Sequence, residues 1–220
     1  MKAVIFDLDG TLINSLQNIA DCMNQALKEF GFDGHSTQEY KYFIGEGSLT
    51  LTKRAVPHNT SQEIITKVYN NFIKIYEENI YKNTQPYDGI YTLLKKLNKT
   101  NLKLGILSNK PHQFTKQFAI RLFNDCGFEE VHGQKENIAP KPDAAGALKI
   151  AQSFNIKPEE IFYVGDSSTD MKTATNAKMK SIGVLWGFRP KEELIEHKAD
   201  FLAQDCEQLW DIINTHRCKV

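Results

Sequence analysis

The sequence predicts an α/β fold: a Rossmann-like parallel sheet core with helices on both faces, plus an inserted all-helical cap domain. Three observations carry this. Short apolar runs occur at 3–6, 102–107, 161–164 and 181–185, with helical patterns between the later ones. Acids or hydroxyls stand directly after the first two runs and one glycine beyond the third, where open parallel sheets place their ligands. From about Ser15 to Gln85 the patterns are helical, with no strand candidate. The core is therefore expected over 1–14 and 86–220, and the cap over 15–85, hinged on the joints near Ser15 and Gln85.

The elements follow in order. Ala3-Val4-Ile5-Phe6 is apolar and β-branched, a buried strand. Leu16, Ile19, Ala20, Met23, Leu27 and Phe30 recur at three and four, one face of a helix that Asn14 or Ser15 could cap and Gly31 end. Ser36 and Glu39 have the spacing of a capping box for a short helix that stops at Gly45. After the loop Gly45-Glu46-Gly47-Ser48, another helix runs to about Val56 and Pro57 ends it. Thr60 and Glu63 make a second capping box for a long helix carrying Ile64, Val68, Phe72, Ile75 and Tyr76. Its aromatic-rich stretch, 69–81, reads as helix core. Pro86-Tyr87-Asp88-Gly89 is a turn-like joint. Beyond it lie a helix at 90–97, a strand at 102–107, a helix ending near Gly127 and a short strand at 130–133. A helix capped by Asp143 reaches Phe154, followed by a strand at 161–164, a helix at 171–177, a strand at 181–185, a last short strand at 201–202 and a terminal helix around 209–213.

Composition narrows the class. The chain has 220 residues, enough for one large domain or a core with a smaller insert. Its 27 basic and 27 acidic residues balance, so bulk charge suggests no nucleic-acid or acidic-membrane partner. Cys22, Cys126, Cys206 and Cys218 form no C-x-x-C pair and read as reduced thiols. Four apolar residues before Asp7 are too few for a signal peptide, and no apolar run approaches membrane-spanning length. The expected compartment is the cytoplasm. His216 and Cys218, near the tail, read as exposed rather than as ligands. Oligomeric state is not legible.

Chemistry gathers at four segments. Asp7 and Asp9 stand two apart at a strand end, followed by Gly10 and Thr11. Two acids so close repel each other unless a cation sits between them, and Mg²⁺ suits because it prefers oxygen ligands. In Leu107-Ser108-Asn109-Lys110-Pro111 a hydroxyl at a strand end suits one phosphate oxygen, while helix capping is the plainer reading. In Ala139-Pro140-Lys141-Pro142-Asp143 two prolines stiffen the backbone around Lys141, either a phosphate clamp or an exposed lysine in a rigid loop. In Val164-Gly165-Asp166-Ser167-Ser168-Thr169-Asp170 an acid again ends a strand. Asp170 either faces the first acid pair or caps the next helix.

These four segments, in this order and across the whole chain, resemble the four motifs of the haloacid dehalogenase-like (HAD) hydrolases. The resemblance implies a Mg²⁺-dependent phosphatase acting on a small phosphomonoester through an aspartyl-phosphate. Asp7 would be the nucleophile and Asp9 the general acid/base. Mg²⁺ would be held by Asp7, the carbonyl of Asp9 and Asp166, with Asp170 supporting. Thr11, Ser108, Asn109 and Lys141 would serve phosphate binding. Asp9 favours phosphoester over dehalogenase chemistry, since a halide leaves without a proton. Phe43 through Val56, with Trp186-Gly187-Phe188, is similar to the phosphoglycolate phosphatase group. The resemblance makes 2-phosphoglycolate the expected substrate, with Gly45 and Arg54 (or Lys53) as cap residues toward it; Arg54 as a mere brace is the alternative. A sugar-phosphate mutase, and a pyrophosphatase or nucleotidase, share the scaffold. The mutase would need a charged cap loop, whereas this one has two glycines and Glu46. A response-regulator receiver would lack the second acid and the insert, and a scaffold that had lost catalysis should lack Asp7 or Asp9.

Overall fold

The computed structural model describes residues 1–217, so Cys218 lies outside the described residues. Strand β1 (Ala3–Phe6) is buried along its length. Its side chains alternate between two apolar clusters, as a pleated strand requires: Val4 and Phe6 join one, Ala3 and Ile5 the other. A two-residue strand, β2 (Ile13–Asn14), follows. Four helices come next: α1 (Leu16–Glu29), α2 (Thr37–Phe43), α3 (Ser48–Ala55) and α4 (Gln62–Asn79). The chain returns through β3 (Gln85–Pro86), antiparallel to β2, with Ile13 opposite Pro86 and Asn14 opposite Gln85.

The rest alternates: α5 (Ile90–Leu97), β4 (Lys103–Pro111), α6 (His112–Phe123), β5 (Phe128–Gln134), α7 (Ala145–Phe154), β6 (Ile161–Gly165), α8 (Ser168–Asn176), β7 (Lys180–Val184), α9 (Lys191–Glu196), β8 (Phe201–Ala203) and α10 (Cys206–His216). Six strands pair in parallel in the order β5-β4-β1-β6-β7-β8. Helices α7 and α8 cover one face through Ala147, Ile150, Phe154 and Ala174. The other face meets α5, α6 and α10, and its cluster continues into the helical insert through Ile19, Met23, Leu51 and Phe72. The α/β core with an inserted helical cap is thus the observed architecture.

Local differences have local causes. Gln85 belongs to a strand, although no strand was expected up to that point; a two-residue pairing leaves no period to read. The Ser36–Glu39 capping box is present, with Ser36 N–H donating to Glu39 Oε2 at 2.8 Å. The long helix is capped by Ser61, which accepts from Ile64 N–H, while Thr60 donates to the carbonyl of Pro57. Helix α7 begins at Ala145, and Asp143 accepts from the Ala145 N–H at 2.8 Å from just outside it. Strand β4 extends to Pro111, so Ser108 to Lys110 lie within the strand end rather than after it. Helix α9 was not anticipated. Cys22, Cys126 and Cys206 are free thiols.

Candidate active site

Parallel strands bring their carboxyl ends to one edge. Asp7 directly follows β1, and its N–H donates to Val164 of β6 at 2.8 Å. Ser108, Asn109 and Lys110 close β4, and Asp166 follows Gly165 at the end of β6. Lys141 reaches the same place from the loop between β5 and α7.

Asp7, Asp166 and Asp170 are buried and offer carboxylate oxygens that all lie within 4.8 Å of one another. The Lys141 ammonium stands 2.9 Å from Asp7 Oδ1 and 2.7 Å from Asp170 Oδ1. Asp170 also accepts from the Ser167 hydroxyl at 2.6 Å and its N–H at 3.1 Å. Asp170 is thus not the N-cap, which is Ser167, but lies within the first turn of α8, where it completes the capping box and faces Asp7 and Lys141. Asp166 accepts from the Thr11 hydroxyl at 3.2 Å and the Phe188 N–H at 2.8 Å. Trp186 Nε1 donates to the Thr11 carbonyl at 3.0 Å, tying the loop after β7 to the first motif. The crowding explains two glycines. A Cβ on Gly10, whose φ is +89°, would stand 2.4 Å from an Asp166 oxygen, and one on Gly165 would stand 2.3 Å from Asp170.

Burial and mutual repulsion dominate the electrostatics of the cluster. Burial pushes the Asp7 carboxyl up to about 7 against the pull of Lys141, with Asp170 adding to the rise. Burial, then Asp170 and Asp7, holds Asp166 well above the usual carboxylate range. Burial disfavours the Lys141 charge, yet Asp170 and Asp7 hold its pKa well above the ordinary lysine value. Three buried carboxyl groups share one ammonium, which stands on Asp7 and Asp170 rather than on Asp166. Such an all-oxygen set fits a hard divalent cation.

Asp9 sits apart from this cluster. Its Oδ1 accepts from Ser15 at 2.6 Å, and both its oxygens accept from Lys110 Nζ at 3.1 Å. Asn109 uses its amide on backbone: Nδ2 donates to Gly45 O at 3.0 Å and Lys141 O at 2.9 Å, and Oδ1 accepts from Lys141 N–H at 2.8 Å. It thereby ties the cap loop and the Lys141 loop to β4. Arg54 pairs with Glu46 at 2.6 Å and donates to the carbonyls of Tyr42 and Phe43. It stands outside the cleft and braces the cap loop, while Lys53 is exposed.

A cleft of about 680 Å³ opens between core and cap, lined by Asp7, Asp9, Gly45, Ser108, Asn109 and Asp166. Lys110, Tyr76 and Arg189 line it too, and sequence reasoning did not single them out. Lys110 was visible beside Ser108 and Asn109 as a basic residue in a motif string. Arg189 carries no sequence signal; it donates to the Lys41 carbonyl and, at 2.9 Å, to that of Ile44, bridging core and cap.

The sequence model described as "Haloacid dehalogenase-like hydrolase" matches residues 4–184, and the chain belongs to that family. It is an enzyme of the hydrolase class. A phosphoglycolate phosphatase of Vibrio vulnificus is 27% identical over 97% of this chain and 96% of its own length. Another, from Psychrobacter arcticus, is 30% identical over 88% of this chain and 87% of its own. Among solved structures, a candidate phosphoglycolate phosphatase from Lactobacillus delbrueckii subsp. bulgaricus superposes with a TM-score of 0.91 at 27% identity, covering 96% of this chain and 98% of that one.

Proposed function

We propose that this enzyme hydrolyses a small phosphomonoester through an aspartyl-phosphate on Asp7, and that its substrate is 2-phosphoglycolate. The observation that carries the reading is the division of labour between two acids facing one cleft. Asp7 belongs to the anionic cluster, whereas Asp9 is held apart by Ser15 and Lys110. An Asp7 oxygen attacks phosphorus, the bond from phosphorus to the alcohol oxygen breaks, and Asp9 delivers a proton to that oxygen. Asp9 then takes a proton from water as its oxygen attacks the same phosphorus, which releases phosphate and restores Asp7. Ser108, the Asn109 N–H and Lys141 hold the transferring oxygens. Mg²⁺ fits the residues present: Asp7, Asp166 and the Asp9 carbonyl would hold it, with Asp170 and Thr11 orienting the carboxylates. When bound it supplies the positive charge that lets an anionic nucleophile meet an anionic phosphate.

The phosphoglycolate phosphatases among the relatives support the substrate. Free thiols fit a reducing compartment such as the cytoplasm. A panel of phosphomonoesters tests the assignment. The highest kcat/KM is expected for 2-phosphoglycolate, and equal rates across the panel would end it.

A further inference from the structure

We propose that the Lys110 ammonium and the Tyr76 hydroxyl form the subsite for an anionic group, a carboxylate foremost, on the alcohol being released. This rests on the role given above to Asp9 as the group that meets the leaving oxygen.

Lys110 Nζ touches both Asp9 oxygens, so atoms one or two bonds beyond an oxygen that Asp9 protonates fall beside the ammonium. In a phosphorylated 2-hydroxy acid the carboxylate carbon is two bonds beyond that oxygen. Of the three N–H donors of the ammonium, Asp9 engages two and the third faces the Tyr76 oxygen, so the pair offers an anion the Lys110 charge and the Tyr76 proton. The second observation is Tyr76. It is 2% exposed and lines the cleft, and its hydroxyl oxygen faces the Lys110 ammonium while its own proton has no acceptor. Burial pushes its pKa up to about 12, so it offers a proton at any ordinary pH. Its ring lies 4.6 Å from Lys110 Nζ, which puts both groups on one wall. Around them the cleft is apolar, with Ile19, Leu51, Phe72, Ile73 and Phe114. An anion entering against such apolar walls needs a cation and a donor. The other cleft cation, Arg189, is committed to carbonyls of the cap loop and to Glu193 at 3.6 Å, and Arg54 is paired outside. The cation toward the substrate tail therefore comes from the core strand β4, not from the cap.

The test is a ratio. kcat/KM is measured for 2-phosphoglycolate and for ethyl phosphate, its counterpart without the carboxylate, in the wild type and in Lys110→Met, Tyr76→Phe and Arg54→Ala. A group that only orients Asp9 lowers both substrates equally, whereas a subsite lowers the acid more. The ratio of acid to neutral ester is expected to fall about tenfold or more in Lys110→Met and about threefold in Tyr76→Phe, and to hold in Arg54→Ala. An unchanged ratio in Lys110→Met and Tyr76→Phe, or a fall in Arg54→Ala alone, overturns the subsite. If Lys110→Met does not fold, Tyr76→Phe decides. Longer phosphorylated hydroxy acids separate the two claims. A wild type that prefers one of these over 2-phosphoglycolate, with that preference lost in the variants, keeps the subsite and refutes the substrate. A wild type blind to the carboxylate refutes both.

Discussion

Asp7 carries conflicting demands: it must be ionised to attack, yet it is buried beside two further acids. Only Lys141 and, by our proposal, Mg²⁺ reconcile them. Replacing it with Asn removes the nucleophile and one of the repelling charges. Asp7→Asn is expected to release no measurable phosphate while melting no lower than the wild type without metal, read by phosphate assay and thermal unfolding. Lys141→Met has the opposite balance. It leaves three buried carboxylates with no ammonium, and the metal-free protein is expected to lose about 3–5 kcal/mol in urea unfolding. The same cluster sets a pH dependence. The Asp7 pKa is raised, to about 7, and that of Asp166 is raised also, so between pH 4 and 7 these two groups hold more protons in the folded metal-free chain than in the unfolded one. Their contribution to the stability of the metal-free protein should therefore fall as pH rises through that window. Urea midpoints at pH 4.5 and 7.5 check the sign, and Asp7→Asn should flatten the slope.

At the scale of elements, the cap loop 44–47 is pinned to the core by two side chains. Asn109 reaches Gly45 from β4, and Arg189 reaches Lys41 and Ile44 from the loop before α9. Removing the Arg189 donors should loosen closure more than chemistry. Arg189→Ala is expected to raise KM about threefold to tenfold with a smaller change in kcat, and to speed amide exchange in residues 44–47. The elements themselves were largely legible. Strands β1, β4, β6 and β7 announce themselves as apolar runs, and α1 as a stripe at three and four, because each buries a face whose period its own sequence must carry. Strand β3 and helix α9 were not, because a two-residue pairing and a six-residue helix give too few repeats to show a period.

The whole molecule is an α/β core and a helical lid that share one apolar cluster across the cleft. A cation bound to the folded state alone stabilises all of it. At one hundred times its Kd, Mg²⁺ contributes about 2.7 kcal/mol, worth roughly 5–10 °C in a chain of this length. Thermal melts with Mg²⁺ and with chelator should show that shift, Asp166→Asn should abolish most of it, and turnover should vanish in chelator and return with Mg²⁺.

The sequence alone determined the α/β class with its helical cap and the position of Asp7, Ser108 and Asp166 at strand ends, since local pattern reveals the apolar runs they follow. Only the tertiary structure decided that Asp170 completes the capping box of α8 and faces Lys141, that Arg54 braces a loop instead of lining the cleft, and that Lys110 stands on Asp9. Those roles depend on which distant side chains meet: Lys110 and Asp9 are 101 positions apart in the chain, and no local period encodes a contact that parallel pairing of β1 with β4 creates.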